Sequence, residues 1–346
     1  MKANGAVATS KLMRELGLRR AAADSLTIRR QRHGKGFIYL RAGKRRVRDA
    51  ATLKRLASLA MPPAYEDVMF AEDPAAHLQA VGRDAAGRTQ YRYHPDWQKV
   101  REARKARRLM RLVHVMPKVR RAIGRNLAET EPTRALALAA VIDLVACSAI
   151  RAGSDRYARL HGSRGATTLL KSNVVVEKDC IRLTFRGKLG KPIDKEVRSR
   201  RLAEAIRTLQ SLPGRRLFQY RDANGEVRNV RRGDANVFLR EIAGVSISLK
   251  DFRTLMASDL ALSNLSKVTP GSSEHRRRKQ VREAVTEAAE ELANTPAICR
   301  KSYVHAAIVD AFENGTVEKF APKMGNGRSR VRRETVLGQI LAEAEA

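Results

Sequence analysis

Two periodicities divide the chain. From Leu26 onward the apolar positions alternate with polar ones over short runs. Thr27 to Gln31, a His33-Gly34-Lys35-Gly36 turn and Phe37 to Leu40 spell a hairpin, continued through Ala42-Gly43-Lys44 into Arg45 to Arg48. Asp49 is placed to cap a helix over residues 50–60, which Pro62-Pro63 stops. Val68-Met69-Phe70 and residues 77–81 are further strands, and the Asp84-Ala-Ala-Gly87 turn leads into a strand with Thr89, Tyr91 and Tyr93 on one face and Arg88, Gln90 and Arg92 on the other. That strand suits groove and phosphate contacts, and equally suits a half-buried strand with its tyrosines in the core.

Past residue 130 the pattern turns helical. Thr130-Glu131-Pro132 starts a helix, and residues 135–150 are apolar apart from Asp143, which predicts a buried central helix. Residues 173–197 interrupt with three strands and two tight turns, a meander. Helices follow over residues 199–211, 234–243, 250–263, 273–293, 295–302 and 304–313; residues 315–333 are expected as a basic loop, and 334–345 as a weakly amphipathic acidic helix. The expected class is therefore α+β. Its domains are a flexible basic lead-in (1–24), a small β-rich N-terminal domain (25–96), a basic helical linker (97–129), a larger, mainly α-helical domain (130–315) and a C-terminal tail with a short helix (316–346).

Charge sharpens this picture. The 346 residues carry 69 Lys+Arg against 36 Asp+Glu, a formal net charge of +33, which calls for a polyanionic partner. Between Lys99 and Arg125 the only acid is Glu102, so that helix must find its counter-charge outside itself. No apolar run reaches spanning length and the start is polar, so a cytoplasmic protein is expected, with no membrane partner. Cys147, Cys180 and Cys299 are isolated, without metal-ligand spacing, and are expected as reduced thiols with no metal site.

The candidate chemistry centres on residues 294–303. Thr295-Pro296 begins a helix whose far end, about two turns on, is Tyr303, with Arg300 and Lys301 one turn before it to ease formation of a phenolate. Taken alone, this is also the pattern of an ordinary helix with a surface tyrosine. Cleaving a phosphodiester with tyrosine further requires cations on the nonbridging oxygens and an acid for the leaving oxygen. Candidates are Arg151, at the end of the central helix just before Gly153 as a stop; Lys188, at a hairpin tip; Arg253, at a helix start; and Asn294, whose amide can donate to a phosphate oxygen.

Taken in order, Ile-Arg-x-Gly, Phe-x-Gly-Lys, Lys-Asp-Phe-Arg-Thr and Asn-Thr-Pro-x-Ile-x-Arg-Lys-x-Tyr resemble the catalytic series of the type IB DNA topoisomerases, in the poxvirus-like branch found in bacteria. The similarity, with the strand around Gln90, covers roughly residues 80–305. It implies the family's tyrosine recombinase/topoisomerase IB-like catalytic domain. It also implies supercoil relaxation through a 3'-phosphotyrosyl link on Tyr303, with no cofactor, ATP or required metal. Arg151 and Arg253 match the two transition-state arginines, Lys188 the general acid, and Arg88, Gln90, Tyr91, Tyr93, Tyr157 and Lys250 the DNA contacts. Asn294 stands where histidine is common, and cannot carry that residue's proton or charge. The implied partner is double-stranded DNA, clamped by a monomer in the nucleoid. Two rivals remain: a site-specific tyrosine recombinase, which typically has His-x-x-Arg where this chain has Lys250-Asp-Phe-Arg253, and a non-catalytic basic DNA-binding protein.

Overall fold

The computed structural model describes residues 2–325 and 329–344. Two compact units divide within one long helix, Met1–Lys105 and Ala106–Ala346.

The first unit contains α1 (Lys2–Glu15), β1 (Ile28–His33), β2 (Gly36–Leu40), α2 (Ala50–Ser58), β3 (Glu66–Phe70), β4 (Leu78–Arg83), β5 (Thr89–Tyr93) and the start of α3 (Trp97–Asn126). Its five strands form one antiparallel sheet in the order β2-β1-β3-β4-β5. Alternation selects the buried face: Ile28, Val68, Phe70 and Ala80 pack with Leu56 of α2. The expected cap is present, with the Asp49 carboxylate accepting from the Thr52 N–H at 2.7 Å.

The first helix was not expected. Where the pattern suggested a flexible lead-in, Lys2–Glu15 is helical, and Gly17, at φ 65°, turns the chain after it. Met13 and Leu18 are buried against Trp97 and Val100, an apolar edge that the basic, Ala-rich composition conceals. Met1 lies outside the described residues.

The second unit holds the rest of α3, then α4 (Arg134–Ser148), α5 (Asp155–His161), β6 (Val174–Glu177), β7 (Cys180–Arg186), β8 (Pro192–Arg198), α6 (Arg200–Gln210), β9 (Gln219–Arg221), β10 (Val227–Asn229), α7 (Arg232–Ala243), α8 (Leu249–Leu265), α9 (Glu274–Glu291), α10 (Pro296–Ser302), α11 (Ala306–Glu313), α12 (Thr316–Met324) and α13 (Arg330–Glu343). Helix α4 is the buried centre, as its apolar run predicts, and is capped by Thr133, whose hydroxyl accepts from Leu136 N. The meander β6-β7-β8 is antiparallel and also as expected. Helix α5 and the β9–β10 pair escaped notice because elements this short show no full period.

Residues 315–333 are a correction. Instead of a basic loop they contain α12, with Val317, Phe320 and Met324 buried at helical spacing, and the start of α13; residues 326–328 lie outside the described residues. Nor is α13 a tail. Val336, Leu337, Ile340 and Leu341 join the core built on α4 and α8, while residues 345–346 are not described. On the same helix Glu334, only 3% exposed, takes both oxygens to Arg120 Nη2 at 2.7 Å and accepts from Arg330 Nε at 3.0 Å. Arg333 meets Asp259 of α8 through two bonds of 2.8 and 2.7 Å. Glu334→Ala leaves two guanidiniums facing each other without their carboxylate, and should cost about 3 kcal/mol, the lower end for a broken buried pair because Arg120 keeps some solvent; the urea midpoint of the variant against wild type measures it.

Candidate active site

Helix α4 ends at Ala149, whose φ of 51° is left-handed, and not at Gly153 as the sequence pattern suggested. Gly153 serves a different purpose. A Cβ on Gly165 would lie 2.4 Å from the Arg151 carbonyl oxygen and 2.5 Å from Gly153 N, so the two backbones touch and only glycine fits at 165. Ala166 N donates to Arg151 O at 2.8 Å, and Thr167 N and Oγ1 both donate to Ala152 O, at 2.9 and 2.8 Å. This cross-bracing fixes the backbone from which Arg151 projects.

Arg151 Nη2 then donates to Asn294 Oδ1 at 2.7 Å. Asn294 follows the left-handed Ala293 (φ 49°), its N–H bonded to Ala289 O at 2.9 Å. Next come the Thr295 cap and Pro296 in the first turn of α10, both as the sequence predicts. At the other end Tyr303 is the C-terminal cap residue.

Arg253 occupies the centre. It is 3% exposed and donates to the carbonyls of Ala149 and, at 3.0 Å, Leu292. Its guanidinium carbon lies 4.9 Å from the centroid of the Tyr303 ring. Five positions further along α8, buried Ser258 donates to Tyr303 O and accepts from His305 N, each at 3.2 Å. One helix therefore holds the tyrosine by both ring and backbone. Two buried donors, Asn294 Nδ2 and Arg253 Nε, have no hydrogen-bond partner within the protein.

The electrostatics follow from this packing. Burial pushes the Tyr303 phenol up, but the Arg253 charge and hydrogen bond, with Arg151 and Lys250 behind them, outweigh it and hold the phenol below its ordinary value. The neighbours that weigh most are thus Arg253, Arg151 and Lys250, none of them on the tyrosine's own helix. Cys299, one turn before Tyr303, is buried and its thiol is pushed up to about 11, so it stays protonated and does not compete as a nucleophile. Lys188 sits in the β7–β8 turn, where Gly187 N donates to Lys191 O at 2.7 Å, and lines one cleft together with Arg151, Arg253 and Arg164. Lys195 and Glu291 line the same cleft, while the Asn294 amide and the Tyr303 ring adjoin two of its arginines, Arg151 and Arg253; such a set of cations beside an acidified phenol is equipped to bind a phosphodiester and attack it.

The family "Eukaryotic DNA topoisomerase I, catalytic core" matches residues 90–324, and "Bacterial DNA topoisomerase IB, N-terminal domain" matches residues 36–84. The chain belongs to the type IB DNA topoisomerases. Among its relatives is the DNA topoisomerase 1B of Acanthamoeba polyphaga mimivirus, 31% identical over 297 residues, which are 83% of this chain and 88% of that one. The DNA topoisomerase I of Monkeypox virus is 25% identical over 246 residues, 69% of this chain and 74% of its own, and the DNA topoisomerase 1B of Vaccinia virus (strain Copenhagen) is 24% identical over the same lengths.

In this type IB topoisomerase the remaining sequence-predicted residues fall into two groups. On the second unit, Tyr157 is half exposed on α5, 5.8 Å from the His161 ring, and Lys250 is exposed in the first turn of α8. On the first unit, Tyr91 and Tyr93 are exposed and stacked at 6.2 Å, with Trp97 stacked on Tyr93 at 6.1 Å. The two tyrosine rings, unlike the buried Trp97, do not fill a core. Arg88 Nε and Gln90 Nε2 both donate to Asp84 Oδ2, at 2.9 and 2.8 Å, and these bonds help hold the Asp84 carboxyl below its usual range, after the backbone bond from Arg88. Sequence reasoning missed Arg164, which is one basic residue among many, and Ser258, which carries no local signal at all.

Because the fold favours the ionised phenol of Tyr303, its contribution to stability is full above about pH 10, the ordinary tyrosine value, and fades as pH falls through the lower folded-state value. Spectrophotometric titration of wild type minus Tyr303→Phe should show the missing tyrosine ionising below about 10.

Proposed function

We propose that this enzyme relaxes supercoiled duplex DNA by breaking and rejoining one strand through a 3'-phosphotyrosyl link at Tyr303, without ATP or a required metal ion. It acts as a monomer on nucleoid DNA. The observation that carries the reading is the buried Arg253, lying against the ring of Tyr303 and lowering its pKa.

The phenol gives up its proton to solvent and its oxygen attacks phosphorus in line with the 5'-oxygen. Arg151 and Arg253 draw charge from the nonbridging oxygens, and Asn294 Nδ2 donates to one of them. As the P–O5' bond breaks, Lys188 delivers a proton to the leaving oxygen. One phosphate ester replaces another, so no energy source is consumed, and fixed cations supply the charge that a metal would otherwise bring. The free 5'-end turns, returns its proton to Lys188 and attacks the phosphotyrosine to reseal the strand.

Tyr157 and Lys250 hold the flanking backbone. On the first unit, Asp84 keeps Arg88 and Gln90 in place beside the Tyr91–Tyr93 stack, and this strand contacts the groove.

Supercoiled plasmid in EDTA without ATP, wild type beside Tyr303→Phe with detergent trapping, tests the reading. Relaxation and a covalent adduct are expected from wild type alone, with duplex affinity nearly unchanged in the variant; a phenylalanine variant that still cleaves removes Tyr303 from its role. Duplex affinity should fall steeply with salt, by a log–log slope of about 0.9 for each phosphate neutralised.

A further inference from the structure

The tip of the β7–β8 hairpin contains a residue that the fold does not explain. Leu189, next to Lys188, is 81% exposed, more than any other large apolar side chain among the described residues. Its backbone is left-handed, at φ 61° and ψ 28°, a conformation that a turn ordinarily gives to glycine, asparagine or aspartate. Gly190, beside it, is also at positive φ, 73°. Here a bulky chain tolerates backbone strain and an apolar surface stays wet, both in one residue. A Gly or Asn would relieve the strain, and most polar residues would relieve the exposure.

We propose that Leu189 is an apolar anchor for DNA, seated on the deoxyribose and base edge of the nucleotide that carries the leaving 5'-oxygen. Adjacent α-carbons are about 3.8 Å apart. If Lys188 reaches that oxygen, Leu189 must lie within about one nucleotide of it, and the sugar is the apolar surface on offer there. Lys191, exposed on the same turn, holds a neighbouring phosphate. The contact fixes the hairpin against the duplex and so fixes the Lys188 ammonium at the oxygen it protonates. Leu189 is thus a positioning residue. The inference rests on Lys188 being the proton donor.

The test measures single-turnover cleavage of a duplex with one mapped cleavage site, and of the same duplex with sulfur replacing the bridging 5'-oxygen. A thiolate leaves without a proton, so the sulfur substrate does not need Lys188. Leu189→Asn and Leu189→Gly both accept the left-handed backbone without the apolar chain, and Leu189→Met restores an apolar chain. The Asn and Gly variants should cleave the oxygen substrate roughly tenfold more slowly, the scale of one lost apolar contact, and the sulfur substrate at close to the wild-type rate. Met should remain near wild type, and Asn and Gly should melt no lower than wild type. The proposal is overturned if Asn cleaves the oxygen substrate at the wild-type rate, or if its deficit is equal on both substrates. Failure of the underlying reading looks different: Lys188→Ala would then be as slow on sulfur as on oxygen, or wild type would form no adduct through Tyr303.

Discussion

The buried guanidinium of Arg253 is the constraint around which this active site is built. Taking a cation out of water costs several kcal/mol unless its donors are matched, and here the matching groups are carbonyls at Ala149 and Leu292, where two helices end. The same cation therefore fixes where α4 stops, where α9 stops and where the ring of Tyr303 lies. It also acts on that ring in a site largely closed to solvent, where a charge is felt more strongly than in water. Structural bracing and the acidity of the phenol come from one side chain.

Signals that are local in sequence carried far. Thr295-Pro296 fixes the start of α10, the unbroken apolar run fixes α4, and the paired turns fix the β6-β7-β8 meander. What escaped the sequence depends on distance in the chain. The left-handed Ala149 ends α4 in front of a glycine that looked like the obvious stop, because Gly153 is needed beside Gly165 instead. The cations that weigh most on Tyr303 come from α8 and the Arg151 loop, and nothing in the local sequence around the tyrosine reveals that. Ser258 becomes meaningful only when Tyr303 O and His305 N arrive on either side of its hydroxyl. Helix α12 was hidden by basic residues that occupy its outer face while Val317, Phe320 and Met324 turn inward.

The distribution of acids explains how a chain of net charge +33 folds at all. Among the described residues the buried carboxylates sit inside the second unit, each meeting arginine: Asp251 with Arg108, Asp259 with Arg333, and Glu334 with Arg120 and Arg330. Internal repulsion is offset where it would be worst, while much of the excess positive charge remains at the surface, available to a polyanion. Asp84 repeats the arrangement at the surface of the first unit, orienting Arg88 and Gln90.

The place of α13 in the core bears on synthesis. A chain halted soon after Tyr303 would already possess Arg151, Lys188, Arg253, Asn294 and the tyrosine itself. It would lack Arg333, the bidentate partner of the Asp259 carboxylate that follows Ser258 on α8, and the apolar face that covers α8. Such a fragment leaves a carboxylate without its arginine beside the residue that grips the backbone of Tyr303. A chain that stops short of α13 is therefore expected to lose its hold on Tyr303 even though the tyrosine itself has been made.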